Sequence, residues 1–188
     1  IAEHATVSGV PIVENFQEAG AIGIAGAESD VTEAAHSLLV QLAGLYSPAE
    51  VAFAALVSPS WSRRFEWLKW LPHTASPQSP LGGVHLADTA ASGSVMLAAL
   101  EELIASRLGE GPEGGDSPVR GPQLPEQAVM QWGSGVGDAA TETAAKTPCL
   151  VLLLSADAPV DRARLIQLSE RAIDAGVIPV LDQNTPPP

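Results

Sequence analysis

Two uninterrupted apolar runs constrain the fold of this chain more than any other feature of its sequence. Residues 51–57 read VAFAALV and residues 149–155 read CLVLLLS, so neither run offers a polar face to solvent. Runs this short and this apolar are typical of strands buried on both faces of a parallel sheet. Shorter strand-like segments at 21–25, 84–87 and 177–181 alternate with segments of helical periodicity. The sequence therefore predicts an α/β domain with three layers, in which helices cover both faces of a mostly parallel sheet.

The first helix is predicted from its apolar stripe and from an acidic capping pair. Apolar residues recur at helical spacing after Asp30 and continue to Leu45. Asp30 and Glu33 form a D-x-x-E pair, which we expect to cap the first turn and to occupy its free N–H groups. Further helices are predicted to begin at Trp61, after a cap at Ser92 or Ser94, and after an N-cap at Asp161.

Two strand predictions concern position in the sheet. We expect residues 21–25 to form a short buried strand of the core, because they are apolar and precede a long amphipathic helix. We expect residues 177–181 to lie near a sheet edge, because Pro179 cannot donate a ladder hydrogen bond.

The turn after the first strand lies where nucleotide-binding proteins hold phosphate. A Walker A loop reads G-x-x-x-x-G-K-[ST], so that backbone N–H groups surround the phosphates and the Lys reaches the outer ones. Counted from Gly23, with Gly26 inside the turn, this chain has Glu28, Ser29 and Asp30 in place of Gly, Lys and Ser or Thr. Each like-charge contact in such a site costs on the order of 1 kcal/mol or more. From spacing alone, the segment also suits the strand–turn–helix of any α/β domain.

The end of the second apolar run lacks the acid that ATP hydrolysis needs. The run ends in Ser155, and Asp157 follows two positions later. Two residues along a strand displace a side chain by about 6–7 Å, whereas catalysis tolerates about 1 Å of misplacement before large losses. We therefore interpret Asp157 as a turn residue, and a displaced metal ligand is the alternative. The four histidines lack metal-binding spacing, and Cys149 is expected to be a buried small hydrophobe.

Net charge limits the partners of this chain. It has 22 acidic and 9 basic residues, a net charge of −13, which disfavours direct nucleic-acid binding. Three of the four tryptophans nevertheless lie with basic residues in the segment 61–71. This segment is either an aromatic helix packed on the sheet or a docking surface, since Trp and Arg are typical interface anchors. The candidate partner face consists of Trp61, Arg64, Trp67 and Trp70.

Three stretches together carry a resemblance to a known family. LLVQLAGLYSPAEVAFAALVS, FEWLKWLPH and LVLLLSADAPVDRARLIQLSERAIDAGV resemble the FtsK/SpoIIIE-type ATPases of type VII secretion systems, the EccC-like proteins. More narrowly, they resemble the degenerate, N-proximal ATPase-like module that follows the membrane anchor, or a related module in another FtsK/SpoIIIE chain. The resemblance implies a P-loop NTPase or RecA-like fold with degenerate Walker motifs. In active members the Walker A Lys would align near Ser29 and the Walker B Asp near Ser155.

The resemblance also implies a function. It is that of a non-catalytic regulatory or interaction module of a membrane-anchored motor, on the cytoplasmic side of the plasma membrane. Its partners would be other ATPase modules of the same chain and subunits of the secretion complex, and contact with the membrane would come only through the parent protein's anchor. No cofactor is expected, and any bound ATP and magnesium would not be hydrolysed. The alternatives are a weak nucleotide-binding or ATP-hydrolysing module using Gly23, Gly26 and Asp157, and a module related to DNA translocases.

The domain prediction follows from length and composition. We expect the 188 residues to form one domain with an insertion rich in Gly and Pro at about 109–147. The chain opens without Met and ends in three prolines, so we expect it to be a fragment of a longer multidomain protein.

Overall fold

A five-stranded parallel sheet forms the middle layer of the protein in a computed structural model that describes residues 20–75, 77, 79–82, 85–109 and 147–182. The strands are β1 (Ile22–Ile24), β2 (Val51–Leu56), β3 (Leu86–Ala87), β4 (Cys149–Leu154) and β5 (Val177–Asp182). The α-helices are α1 (Glu28–Leu45), α2 (Pro59–Phe65), α3 (Pro72–Ala75), α4 (Ala90–Arg107) and α5 (Arg162–Ala172), with a 3₁₀ helix at Glu66–Trp70.

The strands lie in the order β1-β5-β4-β2-β3, and every neighbouring pair is parallel. The predicted α/β class and parallel sheet are therefore confirmed. β2 and β4 pair over six residues, from Val51 with Cys149 to Leu56 with Leu154. All twelve of these residues are buried, as expected for apolar runs in the middle of a sheet.

Helices cover both faces of the sheet, and alternation along the strands divides the core in two. On one face α1, α2 and the 3₁₀ helix cover Phe53, Ala55, Val151, Leu153 and Val180. On the other face α4 and α5 cover the intervening residues of β2 and β4, including Leu56 and Leu152. Each buried strand thus contributes apolar side chains to two separate helical layers.

The prediction of a buried core position for residues 21–25 was wrong, whereas residues 177–181 lie near a sheet edge, as predicted, next to the outermost described strand. β1 is the outermost described strand beside β5, and Ile22 and Ile24 are only partly buried. β5 lies inside the sheet although it contains Pro179. The Leu150 N–H donates to the Gly176 carbonyl, so the alternation of a parallel ladder directs Pro179 toward β1. Pairing with β1 begins one residue later, at Val180, and Pro179 therefore removes no ladder bond among the described pairs.

Several helix boundaries also differ from the predictions. α1 begins at Glu28, so Asp30 lies inside its first turn and is not the N-cap. α4 is capped by Thr89, whose hydroxyl accepts from the Ser92 N–H in a capping box. The predicted helix from Trp61 changes to a 3₁₀ helix at Glu66. Only α5 begins where the sequence predicted, because the Asp161 carboxylate accepts from two N–H groups of its first turn.

Two further points concern the extent of the structure. The insertion predicted at 109–147 lies, except for its end residues, outside the described residues. Within the described ranges, no helix has both the length and the apolar composition that a membrane span requires.

A glycine allows a close approach between α4 and the loop after β4. Gly93 is buried in α4, and a Cβ added to it would lie 2.5 Å from Val160 Cγ1 and 3.5 Å from the Pro159 carbonyl oxygen. Any larger residue at this position must displace the Val160 side chain, which belongs to the loop that leads into α5.

Replacing Gly93 by Ala is therefore expected to lower the free energy of unfolding by about 1–3 kcal/mol. Helix propensity alone would favour Ala by about 1 kcal/mol. A net loss of stability would therefore come from the steric conflict. Gly44→Ala in α1 is the matched control, because nothing lies within 4 Å of a Cβ added there. It should raise stability slightly. Urea unfolding measures both variants, and a Gly93→Ala protein as stable as the wild type contradicts the close approach.

Candidate functional site

The turn predicted to be a former phosphate loop lies at the carboxyl end of β1, the outermost strand that the structure describes. Gly23 is the middle residue of β1, and Gly26 lies in the bend between β1 and α1. α1 begins directly afterwards with Glu28, Ser29 and Asp30, all of which are exposed. The α1 N-cap is Ala27, which makes no side-chain capping hydrogen bond. The prediction that Asp30 consumes the free N–H groups of this helix was therefore wrong.

One acid of this turn, Glu28, instead forms an ion pair with an arginine of a neighbouring helix. The Arg64 guanidinium lies 3.4 Å from the Glu28 carboxylate and donates to the Thr32 hydroxyl at 3.0 Å. The Thr32 hydroxyl in turn donates to the Glu28 carbonyl oxygen at 2.7 Å. Ser29 donates from its hydroxyl to the Asp30 carboxylate. The first turn of α1 thus has an internal cation for one of its acids, supplied by α2.

Ser155 connects the ends of the two central strands. Its hydroxyl oxygen accepts the Ser58 backbone N–H at 2.9 Å, and its side chain is buried. The Ser155 N–H also donates to the Leu56 carbonyl. Asp157 is exposed in the turn that follows. The chain from β2 runs to β3 on one side and the chain from β4 runs to β5 on the other. This hydrogen bond therefore lies at the point where open parallel sheets bind ligands.

β5 separates the two halves of the predicted nucleotide site. Because β5 lies between β1 and β4, the turn at Gly26 and the end of β4 at Ser155 are two strand spacings apart, about 10 Å. The space between them contains Asp182, the last residue of β5, which is 8% exposed. Sequence reasoning missed this residue because it ended the strand at Leu181. The sequence signal that could have identified Asp182 is an acid directly after the apolar part of a predicted parallel strand.

A cavity opens at the carboxyl ends of β4 and β5, on the side of the sheet that carries α5. It has a volume of about 640 Å³. Apolar side chains of the strands and of α5 form most of its wall, and Arg162 lies at the first position of α5. It is lined by Leu154, Ser155, Ala156, Ala158, Val160, Arg162, Leu165, Ile166, Ser169, Leu181 and Asp182. The turn at Gly26 does not contribute to it.

The four residues of the candidate partner face do not form one exposed surface in the structure. Trp61 is 2% exposed and stacks on Phe65 at 5.4 Å between ring centroids. Arg64 is engaged with Glu28, and Trp67 is partly buried. Trp70, in contrast, is 79% exposed. The packed-helix interpretation therefore holds for Trp61, and only Trp70 of the four residues presents most of its side chain to solvent.

The exposed ring of Trp70 has a cation next to it. The Lys69 ammonium lies 5.2 Å from the ring centroid and also pairs with the Glu66 carboxylate. Such a cation–π contact is worth about 0.5–1 kcal/mol at an exposed site. It orders the ring without covering it.

A buried arginine at the amino-terminal ends of β4 and β5 has a structural role. Arg107 donates to the carbonyl oxygens of Pro148, Ala175 and Gly176, which precede β4 and β5. Burial lowers the pKa of this guanidinium. Cys149 is 3% exposed, and burial raises the pKa of its thiol to about 11. The prediction of a buried, unreactive cysteine is consistent with this environment.

No metal centre is evident in the part of the chain that the structure describes. Among those residues, no group of three or more His, Cys, Asp or Glu side chains is placed to hold a metal ion. The hydroxyl of Ser155 and the carboxylate of Asp182, at neighbouring strand ends, both line the cavity.

Comparison with known proteins connects part of this chain to one kind of secretion protein. The ESX-4 secretion system protein EccC4 of Mycobacterium tuberculosis is 35% identical over 79 residues, which are 42% of this chain and 6% of that protein. The ESX secretion system proteins EccC of Geobacillus thermodenitrificans and Thermomonospora curvata are 38% and 30% identical over 74 residues. These cover 39% of this chain and 5% and 6% of the relatives.

The chain is thus related to EccC proteins, as its sequence stretches indicated, and the matches span only a small fraction of the length of those curated relatives. No protein-family model matches the chain. No solved structure matches it either.

Replacing Ser155 by Ala is expected to lower the free energy of unfolding by about 1–3 kcal/mol, because it leaves the buried Ser58 N–H without an acceptor. Ser169→Ala is the control, since its hydroxyl is exposed and donates only within α5. That change should stay within about 0.5 kcal/mol. Urea unfolding compares the two variants, and equal effects would show that the Ser155 hydroxyl does not hold the strand ends together.

Proposed function

We propose that this chain is an ATPase-like module that does not hydrolyse nucleotide and that acts as a regulatory or interaction part of an FtsK/SpoIIIE-type secretion motor. Its relationship to EccC proteins supports the family and the secretion system. The parallel α/β fold is compatible with a P-loop or RecA-like domain whose Walker motifs have degenerated. The parent protein would supply ATP hydrolysis through other modules, and the membrane anchor through another segment.

One observation carries the non-catalytic assignment. The residue that should hold magnesium at the end of β4 is Ser155, and its hydroxyl already accepts the Ser58 N–H. At the other half of the site, Ser29 stands where the phosphate-binding Lys is needed, between Glu28 and Asp30. Phosphoryl transfer depends on positioned cations that neutralise the developing charge. The turn after β1 instead carries the acids Glu28 and Asp30. The nearby cation Arg64 is already paired with Glu28.

A second candidate, weak nucleotide binding, has one observation in its favour. Because Ala27 does not cap α1 with its side chain, the first N–H groups of this helix are directed toward the turn, as in sites that bind phosphate at helix N-termini. Glu28 and Asp30 oppose an anion at the same position. The balance predicts a dissociation constant for magnesium–ATP no tighter than the millimolar range.

Calorimetric titration of the whole chain with magnesium–ATP, together with a phosphate-release assay, tests this proposal. We expect no binding tighter than about 1 mM, equivalent to about 4 kcal/mol, and no turnover. The triple variant Glu28→Gly, Ser29→Lys and Asp30→Thr restores the Walker A pattern from Gly23. It should bind nucleotide more tightly and still release no phosphate, because Ser155 is unchanged. Micromolar binding with turnover by the wild type would contradict the assignment.

The exposed Trp70 is the proposed contact to a neighbouring module or subunit. Trp70→Ala should change the free energy of unfolding by less than about 0.5 kcal/mol, since the side chain is 79% exposed. Trp61→Ala should cost about 3–5 kcal/mol, because that ring is buried.

In the parent protein, Trp70→Ala should weaken association with secretion-complex subunits by at least about tenfold, the range of an aromatic interface anchor. Co-purification of the complex with wild-type and variant parent protein measures the effect. An unchanged yield of the complex would remove Trp70 from the interface.

A further inference from the structure

We infer that the exposed ring of Trp70 binds in the cavity at the carboxyl ends of β4 and β5 of a second copy of this chain. This assignment rests on the proposed function, in which Trp70 contacts a neighbouring module, and it adds the surface that receives the ring. Because one chain carries both halves of the contact, copies would join head to tail.

Trp70 lies at the amino-terminal end of the central strands. Three residues after it, the His73 ring packs on Phe53 of β2, with 5.1 Å between the ring centroids. The same His73 ring forms a hydrogen bond of 2.8 Å with the carbonyl oxygen of Tyr46, where α1 ends. Since α1 ends shortly before β2 begins at Val51, these contacts hold the Trp70 segment beside the start of β2, on the face that α1 covers.

The cavity lies at the other end of the strands and on the other face of the sheet. It surrounds the carboxyl ends of β4 and β5 on the side that carries α5. A strand of six residues, such as β4, is about 20 Å long. The sheet therefore separates the Trp70 ring from the cavity of its own molecule, and the ring can enter only the cavity of another copy.

The size and the walls of the cavity suit an indole ring. Its volume of about 640 Å³ lies within the range of ligand sites, about 300–1,000 Å³. Leu154, Leu165 and Leu181 contribute apolar wall, and Ile166 lines the cavity while remaining 53% exposed. The Trp70 ring is 79% exposed. Its insertion would remove apolar surface of both copies from water, as an aromatic anchor does in a desolvated pocket.

The charges beside the ring match those beside the cavity. Lys69 and Glu66 form an ion pair next to Trp70. At the cavity, Arg162 is a lining residue, and Asp157 lies between two lining residues of the loop after β4. Both of these side chains are exposed. When the ring enters, Lys69 can pair with Asp157. Glu66 can then pair with Arg162, so each surface meets an acid with a base.

Repulsion between whole chains keeps this association weak. Each copy has a net charge of −13, and like charges oppose the approach of a second copy. Salt at about 0.15 M screens charges that are more than about 8 Å apart. It therefore reduces the repulsion between chains more than the attraction between groups in contact. We expect self-association of the whole chain at protein concentrations approaching about 1 mM, equivalent to about 4 kcal/mol.

Sedimentation equilibrium at about 0.15 M salt measures this self-association. Trp70→Ala removes the ring and should weaken association at least about tenfold. Ile166→Asp places a charge at the cavity and should have the same effect. Val95→Asp is the matched control, because Val95 is 59% exposed on α4 and does not line the cavity. It adds the same charge and should change association by less than about twofold.

A mixture of the Trp70→Ala and Ile166→Asp proteins tests the pairing itself. The first variant keeps the cavity and the second keeps the ring, so the mixture should form dimers that do not grow, although neither protein associates alone. Ala156→Leu is measured in parallel, because it fills the cavity at an exposed position without adding charge. Circular dichroism checks that each variant is folded. A mixture that remains monomeric overturns the inference.

Charge exchange gives an independent test of the same contact. Lys69→Glu should weaken association at least about threefold, since it brings two acids together at the contact. Adding Asp157→Lys should restore the association, because the pair is then reversed. A double variant as weak as Lys69→Glu alone contradicts the proposed orientation of the ring in the cavity.

The outcomes separate this inference from the proposed function. A wild type that remains monomeric up to about 1 mM defeats the inference alone, and so does an effect of Trp70→Ala that the cavity variants do not share. In the second case Trp70 binds another surface of the complex. Micromolar binding and turnover of magnesium–ATP by the wild type defeat the proposed function, whatever the Trp70 and cavity variants do.

Discussion

The parallel pairing of β4 with β2 on one side and β5 on the other is the constraint on which the rest of this structure depends. It buries twelve apolar residues of β2 and β4 between two helical layers. It also fixes which residues are level at the carboxyl edge. Ser155 reaches Ser58 across one strand boundary, and Asp182 lies beside it across the other. The chemistry of the candidate site follows from that register.

Several polar groups at the carboxyl edge of the sheet are bound by other groups of the protein. Hydrogen bonds of Ser155 hold two strand ends together, and Arg64 joins α2 to the first turn of α1 through Glu28 and Thr32. In an active nucleotide site, the corresponding groups must be available for phosphate and metal. Here they contribute to folding, as the proposed non-catalytic module would require. Residues that preserve the module can therefore differ from those that preserve catalysis.

The sequence predicted what depends on local pattern and failed where position in the sheet decides. The runs at 51–57 and 149–155 identified the central strands, because strands without a polar face must be buried. Pro179 indicated a strand near a sheet edge, and β5 is next to the outermost described strand, with the Pro179 nitrogen on the side where pairing with β1 has not yet begun. The acid at Asp30 resembled a cap, although α1 starts earlier, at Glu28.

The candidate site was predicted less completely for the same reason. Trp61 and Trp70 are chemically alike and were grouped in one partner face, but the structure buries Trp61 in the core and exposes Trp70 to solvent. Neither the ion pair of Arg64 with Glu28 nor the position of Asp182 follows from spacing along the chain. Both arise from contacts between segments far apart in sequence, which only the strand order and helix packing determine.

The central claim is that the turn after β1 no longer receives phosphate. The most direct measurement follows the backbone amide resonances of Glu28, Ser29 and Asp30 during a titration with magnesium–ATP, because these N–H groups would contact the phosphates. The account predicts that the three resonances remain unshifted until nucleotide reaches the millimolar range. Saturable shifts of these amides at micromolar nucleotide would contradict it.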